Sequence, residues 1–308
     1  MGATGCDVSI CIASYRRPRG LARLLESLAR TKRPPGLRLE TIVVDNDADA
    51  SAEPVVRAHA EALDPLRYFV EPRRNIAHAR NRALDEALGE WLMFVDDDEA
   101  ADEAWISAYL ELLEREACDG AFGPVLSQFE AAPRGWLAAG EFFARRRYPT
   151  GSEIDRSDLR TSNAVIRTRS IAGLRFDPAF GRTGGSDTDL FCRMRRAGAR
   201  FLWCDEARVT EFVPPERCRF AFLAQRAFRG GCVFTRLARS GTRADSAVRA
   251  LRAVAAAGGL AALLPFAALA GRRPLARAAL RICTQAGHLW TLLGRSYEEY
   301  GDGFATDR

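Results

Sequence analysis

Lysine is almost missing from this chain: Lys32 is the only one, so nearly all of its 45 basic residues are arginine. Histidine is scarce too. His59, His78 and His288 lie too far apart in sequence to read as a catalytic pair. The eight cysteines contain no CxxC pair and no Cys/His cluster at zinc spacing, which sets aside zinc ribbons and redox dithiols. Each reads as a small core thiol kept reduced. No basic start followed by an apolar run precedes Asp7, so the expectation is a cytoplasmic N-terminal part. Internal repeats and low-complexity tracts are absent. The 308 residues are 47% hydrophobic and 28% charged, which excludes disorder, collagen and disulfide miniproteins. That length suits two modest domains, or one large domain with an appendage.

The charge is unevenly spread. From Arg217 to Arg295 there are fourteen arginines and one acid, Asp245, a net of +13, although the whole chain carries only +5. An acidic body joined to a basic C-terminal third points to an anionic partner for that third. Few aromatics interleave these arginines and no nucleic-acid motif is present, so nucleic acid is not the expected partner.

The first 125 residues alternate strand and helix patterns. Strands are predicted at Asp7–Ala13, Leu39–Val44, Leu66–Val70, Trp91–Val95 and Gly120–Leu126. Helices are predicted at Arg19–Arg30, at Ser51–Leu63 with Ser51 as cap, at Ile76–Leu88 and at Glu103–Glu116. Near-continuous apolar strands joined by helices predict a parallel sheet covered on both faces. A long connection follows from Phe129 to Leu159. Then come a strand at Ser162–Arg167, a helix at Asp187–Ala197 after a glycine-rich turn, a strand at Arg200–Cys204 and a basic amphipathic helix at Phe220–Arg239. Ala253–Gly271 holds no charge, is mostly Ala and Gly, and contains Pro265. Arg249 and Arg252 precede it; Arg272 and Arg273 follow. Arginines on both flanks and a mid-segment proline predict a bent or re-entrant hairpin or an interfacial helix pair against anionic lipid, rather than a straight span. The alternative is a soluble helical subdomain packed on the body. Pro274–Leu293 reads as a further helix.

Ligands of such a sheet bind beyond the carboxyl ends of its strands. After the four strands stand Ala13-Ser14-Tyr15-Arg16-Arg17, Asp45-Asn46-Asp47, Glu71-Pro72-Arg73-Arg74-Asn75 and Asp96-Asp97-Asp98-Glu99. Three of the four edges carry groups fit for a polyphosphate nucleotide, arginines for phosphate and acids for ribose or metal. Four adjacent carboxylates repel one another unless a cation is near. Asp96 and Asp98 alternate at a strand end and so point the same way. Oxygen-only ligands suit Mg²⁺ or Mn²⁺ bridging to a diphosphate. The same run also reads as a solvated acidic turn or the charged first turn of a helix.

In order, CIASYRRP, IVVDNDA, RNIAHARNRAL, FVDDDEA and GGSDTDLFCRM resemble the family 2 glycosyltransferases. The likeness covers roughly residues 7 to 235 and is greatest to bacterial succinoglycan-type polysaccharide transferases. It implies the GT-A fold: an α/β, Rossmann-like mixed sheet flanked by helices, here residues 1–243, with residues 244–308 as a helical, basic and apolar extension. It implies inverting transfer from a nucleotide-diphosphate sugar, with a UDP-sugar the first expectation, to a saccharide or lipid-linked acceptor at the cytoplasmic face of the membrane. The first loop, which holds the base, matches Ala13, Tyr15 and Arg16, and the acid that meets base and ribose matches Asp45. The helix start matches Asn75, Ala79, Arg80 and Asn81. The DxD motif matches Asp96, towards the nucleotide, and Asp98, on Mn²⁺ or Mg²⁺; Asp97 lies between them on the donor side. The catalytic base matches Asp187, with Asp189 as its rival and a helix cap as its alternative role. Ser186 stands where the family has glutamate. A later arginine helix reaching the diphosphate matches Gln225, Arg226 and Arg229. A nucleotidyltransferase or a non-enzymatic lipid-binding or nucleic-acid-binding protein are the competing classes; SYRRPRG lacks the glycine-rich loop of the first.

Overall fold

The computed structural model describes residues 6–133, 135–137, 142–238 and 243–297, with backbone alone at 243–246. The expected helix end at Arg239 and the acidic tail from residue 298 lie outside these residues.

Strands β1 (Val8–Ser14), β2 (Leu39–Asp45), β3 (Leu66–Val70) and β4 (Trp91–Val95) pair in parallel in the order β3-β2-β1-β4. Helix α1 (Pro18–Ala29) starts on proline, whose fixed φ suits a first turn. Leu21, Leu24, Leu25 and Leu28 form its apolar stripe, and all four are fully buried. Helix α2 (Glu53–His59) is shorter than predicted, and Ser51 is not its cap. The Ala52 N–H instead donates to the buried Asp45 carboxylate at 2.7 Å, so the turn is organised by the strand that precedes it. Helix α3 (Ile76–Glu86) is capped by Asn75, whose Oδ1 accepts from Ala77 N.

Beyond β4 the chain forms β5 (Glu99–Ala101), α4 (Trp105–Arg115), β6 (Gly120–Phe122) and β7 (Val125–Phe129). The single strand expected at 120–126 is therefore two. Pro124 lacks a ladder donor, and a Cβ on Gly123 would lie 2.2 Å from the Ala207 carbonyl, so the chain kinks there and changes sheets. Strand β8 (Asn163–Arg167) runs antiparallel between β4 and β6. Helices α5 (Thr168–Ile171), α6 (Pro178–Gly181) and α7 (Ser186–Arg196) then lead to β9 (Phe201–Trp203), parallel to β6, and to β10 (Val209–Val213). The seven-stranded sheet is β3-β2-β1-β4-β8-β6-β9. It is mixed, as the GT-A expectation has it: β1–β4 and β6 run parallel, as the pattern of the first 125 residues predicts, and β8 between β4 and β6 is antiparallel to both. A second sheet, β5-β10-β7, pairs Glu99 with Glu211. Buried Asn163 binds the two halves. Its Oδ1 accepts from Trp105 Nε1 (2.8 Å) and Tyr109 OH (2.7 Å), and its Nδ2 donates to the Pro124 and Ala207 carbonyls. All four valences of the amide are used, as burial demands.

The C-terminal helices are α8 (Phe220–Leu237), α9 (Arg243–Leu269) and α10 (Arg272–Leu292). Helix α9 continues unbroken through Gly258, Gly259 and Pro265, so the re-entrant hairpin is not found; α9 and α10 pack as a helix pair across Gly271 instead. The expected boundary at Arg243 falls at the start of α9. Yet α10 returns to lie on α8 at backbone distance: a Cβ on Gly287 would sit 2.0 Å from Phe228 O, and one on Gly231 would sit 2.1 Å from Thr284 O. Thr235 Oγ1 and His288 Nδ1 lie 2.7 Å apart beside this seam. Gly287→Val is expected to force α10 off α8 and lower unfolding free energy by roughly 1–3 kcal/mol in a urea titration. An unchanged midpoint would contradict this packing.

Candidate active site

Between β1 and β4 the chain order reverses, and a crevice opens at the carboxyl end of β4. Asp96, Asp97 and Asp98 emerge there. Each meets a guanidinium from a different element. Arg80 of α3 lies 3.3 Å from Asp96, and Arg17 ahead of α1 lies 2.9 Å from Asp97 and 3.2 Å from Asp98. Arg217 lies 3.0 Å from Asp98 and 3.1 Å from Glu211. Asp97 is buried and also accepts from Ser14 Oγ and Tyr15 N, so it holds the first loop rather than facing the cleft. A Cβ on Gly20 would lie 2.5 Å from the Asp97 carbonyl; that close approach brings the start of α1, and with it Arg17, under the acids.

The carboxylates are not equivalent. Asp96 is enclosed by protein on most sides but keeps 39% of its side chain accessible. Burial pushes its pKa up to about 6; Arg80 opposes the shift, and Asp98, Asp97 and Asp187 reinforce it. Burial alone would raise Asp98, but Arg17 and Arg217 outweigh it and hold that carboxyl below its usual range. Glu99 is pushed well upward by burial and then by Asp96.

On the β1–β3 side, half-buried Tyr15 lies between two guanidiniums, Arg16 at 5.4 Å and Arg74 at 5.0 Å from its ring. Arg16 adopts φ +51°, an uncommon conformation for a side-chain-bearing residue, and pairs with Asp47 at 2.9 Å. Asp45, expected to meet base and ribose, is fully buried; Asp47 N, Ala52 N and Tyr68 OH all donate to it. Its place in the structure is to shape the loop that carries Asp47. Asn75 is likewise engaged within the protein, donating to Pro178 O while capping α3. Ala13, Arg80 and Asp96 line a small open pocket together with Thr161.

On the other side, the left-handed Gly184 and Gly185 turn the chain into α7, and Gly185 is the cap. Asp187 therefore stands within the first turn and is not the cap. Its Oδ1 accepts from Thr188 N. Asp189 is tied to Arg193 at 2.8 Å, so Asp187 is the less engaged of the two acids. Ser186 is buried and offers an acceptor no surface. Trp136 packs edge-on against Phe142 and Phe220. Arg226 and Arg229 lie on α8 beside the cleft, whereas Gln225 is turned towards Tyr297 and does not join them. Sequence reasoning missed Arg145, Arg160, Arg217 and Glu211. Arg145 donates to Ser162 Oγ (2.9 Å) and pairs with Glu211 (2.6 Å). Arg145 and Arg160 line a small open pocket with Ser162, Asn163 and Asp158. The arginine surplus read from the sequence lies at Arg217–Arg295 and covers Arg217; nothing in it points to the connection that carries Arg145 and Arg160. Among the described residues no three His, Cys, Asp or Glu side chains converge as a ready-made metal cage.

Residues 9–180 match the family model described as glycosyl transferase family 2. The chain belongs to that family. It is a glycosyltransferase, and its fold is GT-A. It is 36% identical over 307 residues to the succinoglycan biosynthesis protein ExoM of Rhizobium meliloti, covering 96% of this chain and 95% of that protein. Among solved structures it is similar to the mannosyltransferase PcManGT from Pyrobaculum calidifontis in complex with GDP-Man and Mn²⁺. There the TM-score is 0.63 and the identity 20%, over 92% of this chain and 87% of that one. It is also similar to S. aureus TarS 1-349 in complex with UDP-GlcNAc, with TM-score 0.57 and 15% identity over 98% and 99% of the two chains.

The clamp on this glycosyltransferase's acidic turn makes a stability prediction. Arg17→Met leaves buried Asp97 without its cation and is expected to cost roughly 3 kcal/mol at neutral pH. Adding Asp97→Asn should recover part of that loss in a double-mutant cycle. Strict additivity would mean the pair is not coupled.

Proposed function

We propose that this enzyme moves a sugar, with inversion, from a nucleotide-diphosphate sugar, a UDP-sugar first, to a hydroxyl of a saccharide or lipid-linked acceptor in cell-surface polysaccharide synthesis. The observation that carries this reading is the cleft-facing Asp96 carboxylate, set between the Asp98 turn and Asp187 so that both raise its pKa. That crowding of oxygen-only donors suits a hard divalent cation, Mn²⁺ or Mg²⁺, held by Asp98 and Asp96 and completed by water and phosphate oxygens. The ion, when bound, would supply positive charge to the donor diphosphate. The likeness to ExoM supports the polysaccharide setting, and the GDP-Man, Mn²⁺ and UDP-GlcNAc bound in the related folds support the donor class.

The chain's own residues divide the remaining work. Tyr15 and Arg16, with Ala13 at the cavity edge, receive the nucleoside on a loop shaped by Asp45 and Asn75. Arg80 and Asp97 hold the acidic turn in place. Asp187 takes the acceptor hydroxyl's proton as its oxygen attacks the anomeric carbon from the face opposite the diphosphate. One base and no carboxylate nucleophile give inversion. Arg226 and Arg229 stabilise charge on the leaving group. Residues 1–243 form the catalytic unit in this reading, with the helices beyond as its membrane-facing appendage.

We read α9 as the membrane contact. Ala247–Leu269 is long and apolar enough, by length and composition, to cross a membrane. Leu251, Phe266 and Leu269 are 70%, 68% and 88% exposed. The exposed Arg252 and Arg272 lie near its two ends. In our reading α9 lies along the cytoplasmic face, with those arginines on anionic headgroups at roughly 1 kcal/mol each.

Asp98→Asn should keep the fold and abolish Mn²⁺-dependent transfer; wild-type rates at limiting Mn²⁺ would refute the metal assignment. Asp187→Asn should retain donor binding while turnover falls by roughly 10²–10⁴-fold. If Asp189→Asn causes that fall instead, the base is Asp189. Glutamate at Leu251, Phe266 and Leu269 together should move the full chain out of the floating fraction with anionic liposomes. Equal flotation of wild type and variant would remove α9 from the membrane contact.

A further inference from the structure

We propose that Arg160, with Arg145 and Arg226 beside it, forms the receptor for the diphosphate that leaves the donor sugar. The inference rests on the nucleotide-sugar reading above and adds residues that none of the sequence motifs mark. Arg145 and Arg160 come from the segment between β7 and β8, not from a strand-end loop.

The argument starts from charge left over. Most cleft arginines have a carboxylate: Arg17 pairs with Asp97 and Asp98, Arg80 with Asp96, and Arg145 and Arg217 with Glu211. Arg160 and Arg226 form no ion pair among the described residues. Arg160 reaches only the Ser157 carbonyl, at 3.3 Å, and Arg226 lies over the Phe143 ring at 5.8 Å. Both are half-buried. Burial lowers the Arg226 pKa to about 10, with Arg145, Arg160 and Arg229 adding to the shift and Glu211 opposing it. Burial lowers Arg160 as well, reinforced by Arg145 and Arg229 and opposed by Asp187 and Asp158, neither of which forms an ion pair with it. Half-buried cations that repel one another are costly unless an anion arrives.

Position then selects the anion. Arg145 feels Asp96, and Asp98 feels Arg145, while Arg160 feels Asp187. Contacts of the chain place the surplus positive charge. Thr188 Oγ1, next to Asp187, donates to Leu159 O at 3.1 Å, and Thr161 lines the pocket of Asp96. Arg145 shares Glu211 with Arg217, which pairs with Asp98 at 3.0 Å. Arg160 and Arg145 therefore lie between the acidic turn and the base, where the scissile bond must be. As the anomeric C–O bond to the β-phosphate breaks, its electron pair passes to the phosphate oxygen. The acceptor oxygen bonds to the anomeric carbon, and its proton goes to Asp187. Guanidiniums fixed in advance around that oxygen favour the charge as it grows, and their planar forks suit phosphate.

The test compares UDP with UMP, which lacks the β-phosphate, by calorimetric titration of the full chain with Mn²⁺ present. Arg160→Gln should weaken UDP roughly 10-fold or more, the scale of a lost charge-assisted bond, and change UMP less than about threefold. Arg160→Lys should restore part of the UDP affinity, and thermal unfolding should show both variants folded. With the donor sugar, kcat should fall more than KM rises. Equal loss for UDP and UMP would overturn the proposal. So would unchanged UDP affinity with a raised KM for acceptor alone, which would give the cluster to an anionic acceptor. A wild-type chain that binds neither UDP nor GDP would instead overturn the nucleotide-sugar reading, and the two failures are distinct.

Discussion

Carboxylates crowded at the mouth of a buried strand are the constraint around which this molecule is organised. Strand β4 is apolar from end to end and must stay in the sheet, so the three aspartates that follow it emerge at one place. Their mutual repulsion is offset by arginines from three separate elements: Arg80 on α3, Arg17 ahead of α1, and Arg217 after β10. Neutralising the turn thus fixes the nucleotide side of the sheet against the later, antiparallel side. Gly20 serves the same end by letting α1 approach the Asp97 backbone.

The near absence of lysine has a physical consequence in this setting. A guanidinium stays charged when half-buried and can bond two partners at once. Arg217 joins Asp98 to Glu211, and Arg145 joins Glu211 to Ser162. An ammonium in such surroundings would lose charge more readily and could not bridge with the same fixed geometry. The cleft is therefore a lattice of forks in which paired arginines hold shape and Arg160 and Arg226 are left over for an anion.

The N-terminal half was legible because its signals are local. The leucine stripe of α1, the continuous apolar run of β4 and the aspartates after it each follow from spacing within a few residues. The direction of β8 was not legible, since it has the same burial whichever way it runs. Strands β5 and β10 are three and five residues long, and each carries a glutamate, which takes them out of an apolar strand pattern. Their pairing, with Glu99 opposite Glu211, is a long-range contact that no local spacing reveals. Asp45 and Asn75 match ligand contacts of the family through the resemblance alone. Their side chains are used up inside the loops, which only the three-dimensional partners reveal. Arg145 and Arg160 were invisible because the connection that carries them has no periodicity. Its residues meet the cleft through Ser162 and Glu211, which are distant in sequence.

The seam between α8 and α10 links the surface to the chemistry. Glycines at 231 and 287 allow the two helices to touch backbone to backbone, and a contact with so little side-chain padding has few alternative registers. Helix α8 carries Arg226 at the cleft, while α10 carries α9 on its other side. Whatever fixes α9 thereby fixes the orientation of α8. With α9 against a membrane, the helix that bears Arg226 is held at a set angle to the lipid surface, and the acceptor half of the cleft with it. Thus a polymer growing on a lipid carrier would meet Asp187 from one direction. If α9 is the membrane contact we propose, this geometry would give the Ala- and Gly-rich segment a use beyond anchoring, because a flexible tether of the same hydrophobicity would attach the enzyme without orienting it.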